Sequence, residues 1–106
     1  MAKFLIEANY TAEGVKALIR EKPSSRQAVI KETLTSIGGK LEALYYALGQ
    51  RDVILVCELP DHVSAAALAM AVSATGLVRT KTTPLLTIEE ADRAASTKVS
   101  YRAPGR

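Results

Sequence analysis

From Lys3 to Tyr10 the chain alternates without a break. Phe4, Ile6, Ala8 and Tyr10 fall on one side, and Lys3, Leu5, Glu7 and Asn9 on the other. A period of two places successive side chains on opposite faces of a β-strand, and the apolar set marks a face that is buried. A lone strand leaves its backbone donors and acceptors unpaired on both edges, so it needs partners. Three further segments qualify. Lys40 to Leu48 reads as a second strand. Val53 to Leu59 reads as a third, and its unbroken apolar run suits a central position. Leu77 to Leu86 reads as a fourth, with Pro84 near its end, where an edge tolerates it.

The segments between them carry helical signals. Thr11 can cap a short helix with Val15, Leu18 and Ile19 on one face. Pro23 interrupts it, and Ser24 followed by Gln27 has the spacing of a capping box for a second helix, with Val29, Ile30, Leu34 and Ile37 as its inner stripe. Gly38-Gly39 stops that helix. Gly49-Gln50-Arg51-Asp52 makes a tight connection between the second and third strands. Asp61 caps a third helix, apolar almost all round and rich in Ala, which Gly76 closes. Thr87-Ile88-Glu89-Glu90 opens a short C-terminal helix, and residues 97–106 read as a flexible basic tail behind a domain of residues 1–96.

The order is therefore β-α-β-β-α-β. Right-handed crossovers place strands one and three side by side in the centre of a four-stranded sheet, with helices on one face: an α+β, ferredoxin-like fold. On the face away from the helices, alternation puts Leu5, Glu7 and Asn9 beside Ile54, Val56 and Glu58, with Glu42, Leu44 and Tyr46 from strand two and Arg79 and Lys81 from strand four. An open sheet face seldom shows that much contiguous apolar surface, so a second copy is expected to cover it.

Charge excludes one class of partner for the fold itself. The net charge is +3, but Lys98, Arg102 and Arg106 in the tail supply all of it; residues 1–96 hold eleven basic and eleven acidic side chains. With no Trp and a single Phe, the domain lacks the basic face and stacking aromatics of a nucleic-acid binder. The single Cys57, inside V-I-L-V-C-E-L, rules out an internal disulfide and reads as a buried, inert thiol. The longest uncharged run, Val63 to Val78, is too short to cross a bilayer. A cytoplasmic protein without membrane, metal or cofactor is expected.

No catalytic motif stands out. His62, the only histidine, lies in the first turn of the third helix, where the dipole disfavours an imidazolium and no orienting partner is evident. Tyr45 and Tyr46 are adjacent and point to opposite faces. Arg51 at the hairpin tip reads as solvated. The polar cluster with the strongest case is Glu7, Asn9, Tyr46, Glu58 and Arg79 on the open sheet face. There Arg79 is the expected neutraliser of the two carboxylates, with Lys81 second. Tyr45 and His62 are weaker candidates.

Three stretches carry a family resemblance: A-N-Y-T-A-E-G-V at residues 8–15, L-G-Q-R-D-V-I-L-V at 48–56 and S-A-T-G-L-V-R-T-K-T at 73–82. Together they resemble the GYD-domain family of small bacterial proteins, over residues 3 to about 92. The resemblance implies a ferredoxin-like subunit in a dimeric α/β barrel, and no established activity. It departs at the motif itself, because the family's Gly-x-Tyr-Asp stands here as Gly49-Gln50-Arg51-Asp52. Three functions fit: a homodimer that binds a small molecule between sheet and helices or at the dimer interface, a small oxygenase- or isomerase-like enzyme by analogy of fold, and a regulatory or assembly subunit docked through its tail.

Overall fold

A computed structural model describes all 106 residues, Met1 to Arg106. Its elements run β1 Ala2–Tyr10, α1 Ala12–Glu21, α2 Pro23–Ser36, β2 Lys40–Tyr46, β3 Val53–Leu59, α3 His62–Ser73, β4 Val78–Leu85 and α4 Ile88–Ser96. The four strands form one antiparallel sheet in the order β2-β3-β1-β4, so β1 and β3 are central and Pro84 lies on an edge strand. Four helices accompany the sheet, which makes the fold α+β.

The alternation of β1 is realised residue by residue. Phe4, Ile6 and Ala8 are buried, and across the ladder Cys57, Leu55 and Val53 meet them on the same face. Leu34 of α2 and Ala65 of α3 close over this face, and the resulting core also holds Leu59. Burying a side chain of the size of Phe4, Leu34 or Leu59 stabilises the fold by roughly 1.5–3 kcal/mol each. The other face of the sheet has no helix of this chain against it.

The helix caps follow local chemistry. Thr11 accepts a hydrogen bond from Gly14 N–H, Asp61 from Ser64 N–H, and Thr87 forms a reciprocal capping box with Glu90. The start of α2 differs from the expected Ser24 cap. Pro23 occupies the first turn, where its missing N–H is harmless, and Lys22 takes φ 78° to turn the chain out of α1. Gly38, at φ 78°, ends α2, and Gly39 N–H returns to the Leu34 carbonyl at 2.7 Å. Gly14 is required for another reason. A Cβ there would lie 2.1 Å from the Leu77 carbonyl oxygen, so α1 approaches the start of β4 only because this position has no side chain.

Two segments depart from the expected pattern. Strand β2 carries a bulge between Leu41 and Ala43, and beyond it the alternation is inverted: Leu44 pairs with Leu55, Tyr45 with Ile54 and Tyr46 with Val53. Leu44 and Tyr46 therefore face the helices, and Tyr45 takes the open face. Beyond β4, α4 and the residues after it stand apart from the body. The radius of gyration is 17.1 Å, against about 13 Å for a compact chain of this length, and the longest dimension is 59 Å.

Candidate functional site

The open sheet face carries most of the residues singled out from sequence, but in a different grouping. Lys3 Nζ pairs with Glu42, which the bulge turns toward this face, and lies 3.9 Å from Glu58. Lys40 is the cross-strand neighbour of Glu58 on its other side. Glu7 sits opposite Lys81 on β4, and Arg51 Nε lies 3.5 Å from its Oε2. Glu7 and Glu58 belong to β-ladder positions four residues apart, roughly 13 Å along the strands, so they do not form a repelling pair.

Four expectations are corrected here. Arg79 does not neutralise Glu7; it stands opposite Asn9 and is exposed. Arg51, expected to be solvated, reaches back over the sheet to Glu7 instead. Asn9 is committed to the backbone, its Oδ1 accepting from Asp52 N–H at 3.1 Å, while the Asp52 carboxylate accepts from Tyr10 N–H at 2.9 Å. These bonds extend the β1–β3 ladder into the hairpin, which is what Asp52 does in this chain. Tyr46 is on the opposite face from Glu7, because the bulge at Glu42 advances the pleat by one residue.

The weaker candidates are placed as simply. Tyr45 is 70% exposed on the open face. His62 is exposed at the start of α3, its ring edge-on to Phe4 at 6.2 Å between centroids. No group of three His, Cys, Asp or Glu side chains is arranged to hold a metal ion.

A second site lies between the sheet and the helices, where a cavity of about 120 Å³ opens to solvent at one side. Its floor is the helix-facing side of β1, with Ile6 and Ala8, and of β3, with Val53 and Leu55. Ile30 and Leu34 of α2 and Leu68, Ala69 and Val72 of α3 form the roof. Ala8 and Ala69 are the two small side chains among its apolar lining. Thr80 and Thr82 of β4 add hydroxyls to one wall, and Tyr10 and Arg26 line the space as well.

Tyr10 ends the buried face of β1, and its hydroxyl is pushed up to about 12, first by burial, then by the neighbouring Tyr46, against the opposing pull of Arg26. The Tyr46 hydroxyl donates to the Pro23 carbonyl at 3.1 Å, pinning the start of α2 to the sheet. Arg26, partly exposed, reaches Glu21 Oε1 at 3.4 Å through one nitrogen. An apolar chamber with a phenol and a guanidinium is thus built on residues already read as inward-facing, Ile6, Ala8, Tyr10, Ile30 and Leu34, whereas Arg26 and the threonines were not foreseen. One signal was available: Arg26, Ile30, Leu34 and Ile37 share the i, i+4, i+8, i+11 stripe, so a charge stood on the inward face of α2.

A family profile described as GYD domain matches residues 4–95, nearly the whole chain. The chain belongs to the GYD-domain family. Neither a curated protein nor a solved structure matches it. In the connection between β2 and β3, Arg51 pairs with Glu7 and the Asp52 carboxylate accepts from Tyr10 N–H. No helix of this family member is long and apolar enough to cross a membrane.

Proposed function

We propose that this GYD-domain protein is a homodimer of ferredoxin-like subunits, paired as an α/β barrel, that binds a small molecule in the cavity between its sheet and its helices. The carrying observation is that cavity: apolar walls, one guanidinium, one phenol and three threonines, which is the composition of a ligand pocket. Its volume of about 120 Å³ is below that of most pockets and close to the roughly 150 Å³ of an engineered apolar cavity that takes benzene. A compact ligand fits.

Pairing is supported by the uncovered sheet face and by the projecting C-terminal segment. Leu5, Val56 and Ile54 are only partly covered, and Tyr45 stands exposed beside Ile54. Ile88, the one large apolar residue of α4, is 81% exposed, so its own subunit leaves it bare. A second copy offers both surfaces a counterpart related by symmetry.

Native mass spectrometry of protein purified from its source without denaturation tests both parts. The expected spectrum shows about twice the 11.3 kDa subunit mass, with a small adduct that disappears on collisional activation. A bare monomer at micromolar concentration would overturn the reading.

A further inference from the structure

Resting on the reading of the cavity as a ligand site, we infer that its ligand is a compact apolar carboxylate, a single ring or short branched chain whose acid group is held by Arg26 beside Tyr10. The apolar part follows from the walls. Ile6, Ile30, Leu55 and Leu68 present no group able to satisfy a buried polar atom, so any polar atom of the ligand placed among them would lose its water without replacement. The volume of about 120 Å³ admits something near the size of one six-membered ring.

The acid group follows from what the polar residues still have to offer. A guanidinium carries five N–H donors in a planar fork, and Arg26 uses one nitrogen on Glu21 at a long 3.4 Å. The remaining donors match the two oxygens of a carboxylate, a geometry that Arg holds better than any other cation. Tyr10, which lines the same space, is a neutral phenol at neutral pH and does not repel an incoming anion.

An amine is a poor match for the same place. Asp52 neighbours Tyr10, and Glu21 neighbours Arg26. Asp52 is engaged with Tyr10 N–H at 2.9 Å, and Glu21 is exposed and faces Arg26. A cationic head would meet Arg26 with no free acid to offset it. A neutral ligand of the same shape would fill the chamber but leave the guanidinium donors to water.

The test is calorimetric titration of the full chain with four probes: benzoate and isovalerate, and their neutral counterparts benzamide and isovaleramide. The acids are expected to bind at least tenfold more tightly than the amides at neutral pH. Arg26→Gln should erase that ratio while the amides bind as before, and Arg26→Lys should restore part of it. Equal affinity of acid and amide, or an unchanged ratio in Arg26→Gln, would overturn the carboxylate assignment alone. Ala69→Leu fills the chamber and should abolish all four signals. If no probe binds the unaltered protein, or binding persists in a folded Ala69→Leu protein, the cavity is not the ligand site and both readings fall.

Discussion

Arg51 stands at the tip of the β2–β3 hairpin, yet its Nε lies 3.5 Å from Glu7 Oε2 in the middle of β1. The hairpin tip thus brings a cation over the open sheet face. In an isolated subunit both side chains are partly solvated, and such a pair stabilises by about 0–1 kcal/mol. Beneath a second subunit it would lose that water, and removing one partner would strand the other charge. Arg51→Ala is therefore expected to change the urea midpoint of the dilute chain little, and to weaken self-association much more. Sedimentation velocity over a dilution series measures the difference. Equal, small effects on both would mean that the pair stays in solvent.

Val56 lies between Leu5 and Ala43 on the same face. An Asp at this position is tolerated by an open sheet and punished by a covered one, where a carboxylate without a partner is desolvated. Val56→Asp is expected to halve the mass seen by light scattering, to 11.3 kDa, with the far-ultraviolet spectrum preserved. An intact dimer in this variant would place the interface elsewhere.

Gly14 provides a test of the fold alone. A methyl group 2.1 Å from the Leu77 carbonyl oxygen cannot be accommodated by rotating a side chain, because the obstacle is backbone. Either α1 moves off β4 or the Thr11 N–H to Leu77 carbonyl bond, 2.9 Å long, is lost. Gly14→Ala should lower unfolding free energy by about 1–3 kcal/mol, the usual penalty of overpacking, although alanine is the better helix former. Denaturant titration decides it; an unchanged or raised midpoint would contradict the close approach.

How far the sequence could be read depended on whether local pattern or a single inserted residue governed each part. The faces of β1 were legible because its strict alternation leaves one solution, and in β3 the single Glu58 fixed which set faces out; Phe4, Ile6, Leu55 and Cys57 lie where these put them. The caps at Thr11, Asp61 and Thr87 were legible because each rests on a contact three residues away. Strand β2 was legible only up to Leu41. Its bulge leaves no mark in K-L-E-A-L-Y-Y, and one extra residue sends Leu44 and Tyr46 to the helices. That step dissolved the proposed grouping of Tyr46 with Glu7, Asn9, Glu58 and Arg79. The pairing of Arg51 with Glu7 spans a hairpin whose tilt no local pattern encodes. A ligand space between sheet and helices was expected, but its size and lining were not legible, because a void depends on how side chains of different size meet across the layers.

The charge balance bears on the tail. Residues 1–96 are formally neutral, and Lys98, Arg102 and Arg106 carry the whole net +3. Deleting residues 97–106 should leave the melting temperature nearly unchanged and remove any retention on heparin. Retention by the shortened chain that falls with salt would locate a basic surface on the sheet, with Arg79 and Lys81 the first residues to examine.

The last prediction concerns alkaline pH, where a buried thiol and a half-buried phenol act in the same direction. Burial pushes the Cys57 thiol up to about 11, and burial with the neighbouring Tyr46 pushes the Tyr10 hydroxyl up to about 12. In both cases the folded chain holds its proton at a pH where the unfolded chain has released it. Since stability changes with pH in proportion to the protons bound unfolded minus those bound folded, it must fall as pH rises through these windows. The Cys57 contribution falls between about pH 9 and 11, and the Tyr10 contribution between about pH 10 and 12. Below pH 9 neither group contributes any slope. Melting temperature followed from pH 7 to 12 should therefore stay level with respect to these groups and then decline. Cys57→Ala removes the earlier part of the decline, at the expense of a uniform loss of about 1 kcal/mol for the vacated core volume. Tyr10→Phe removes the later part and keeps the ring that packs at the end of β1. The discriminating quantity is the slope, not the level. If both variants decline as steeply as the parent, neither group is the source of the decline.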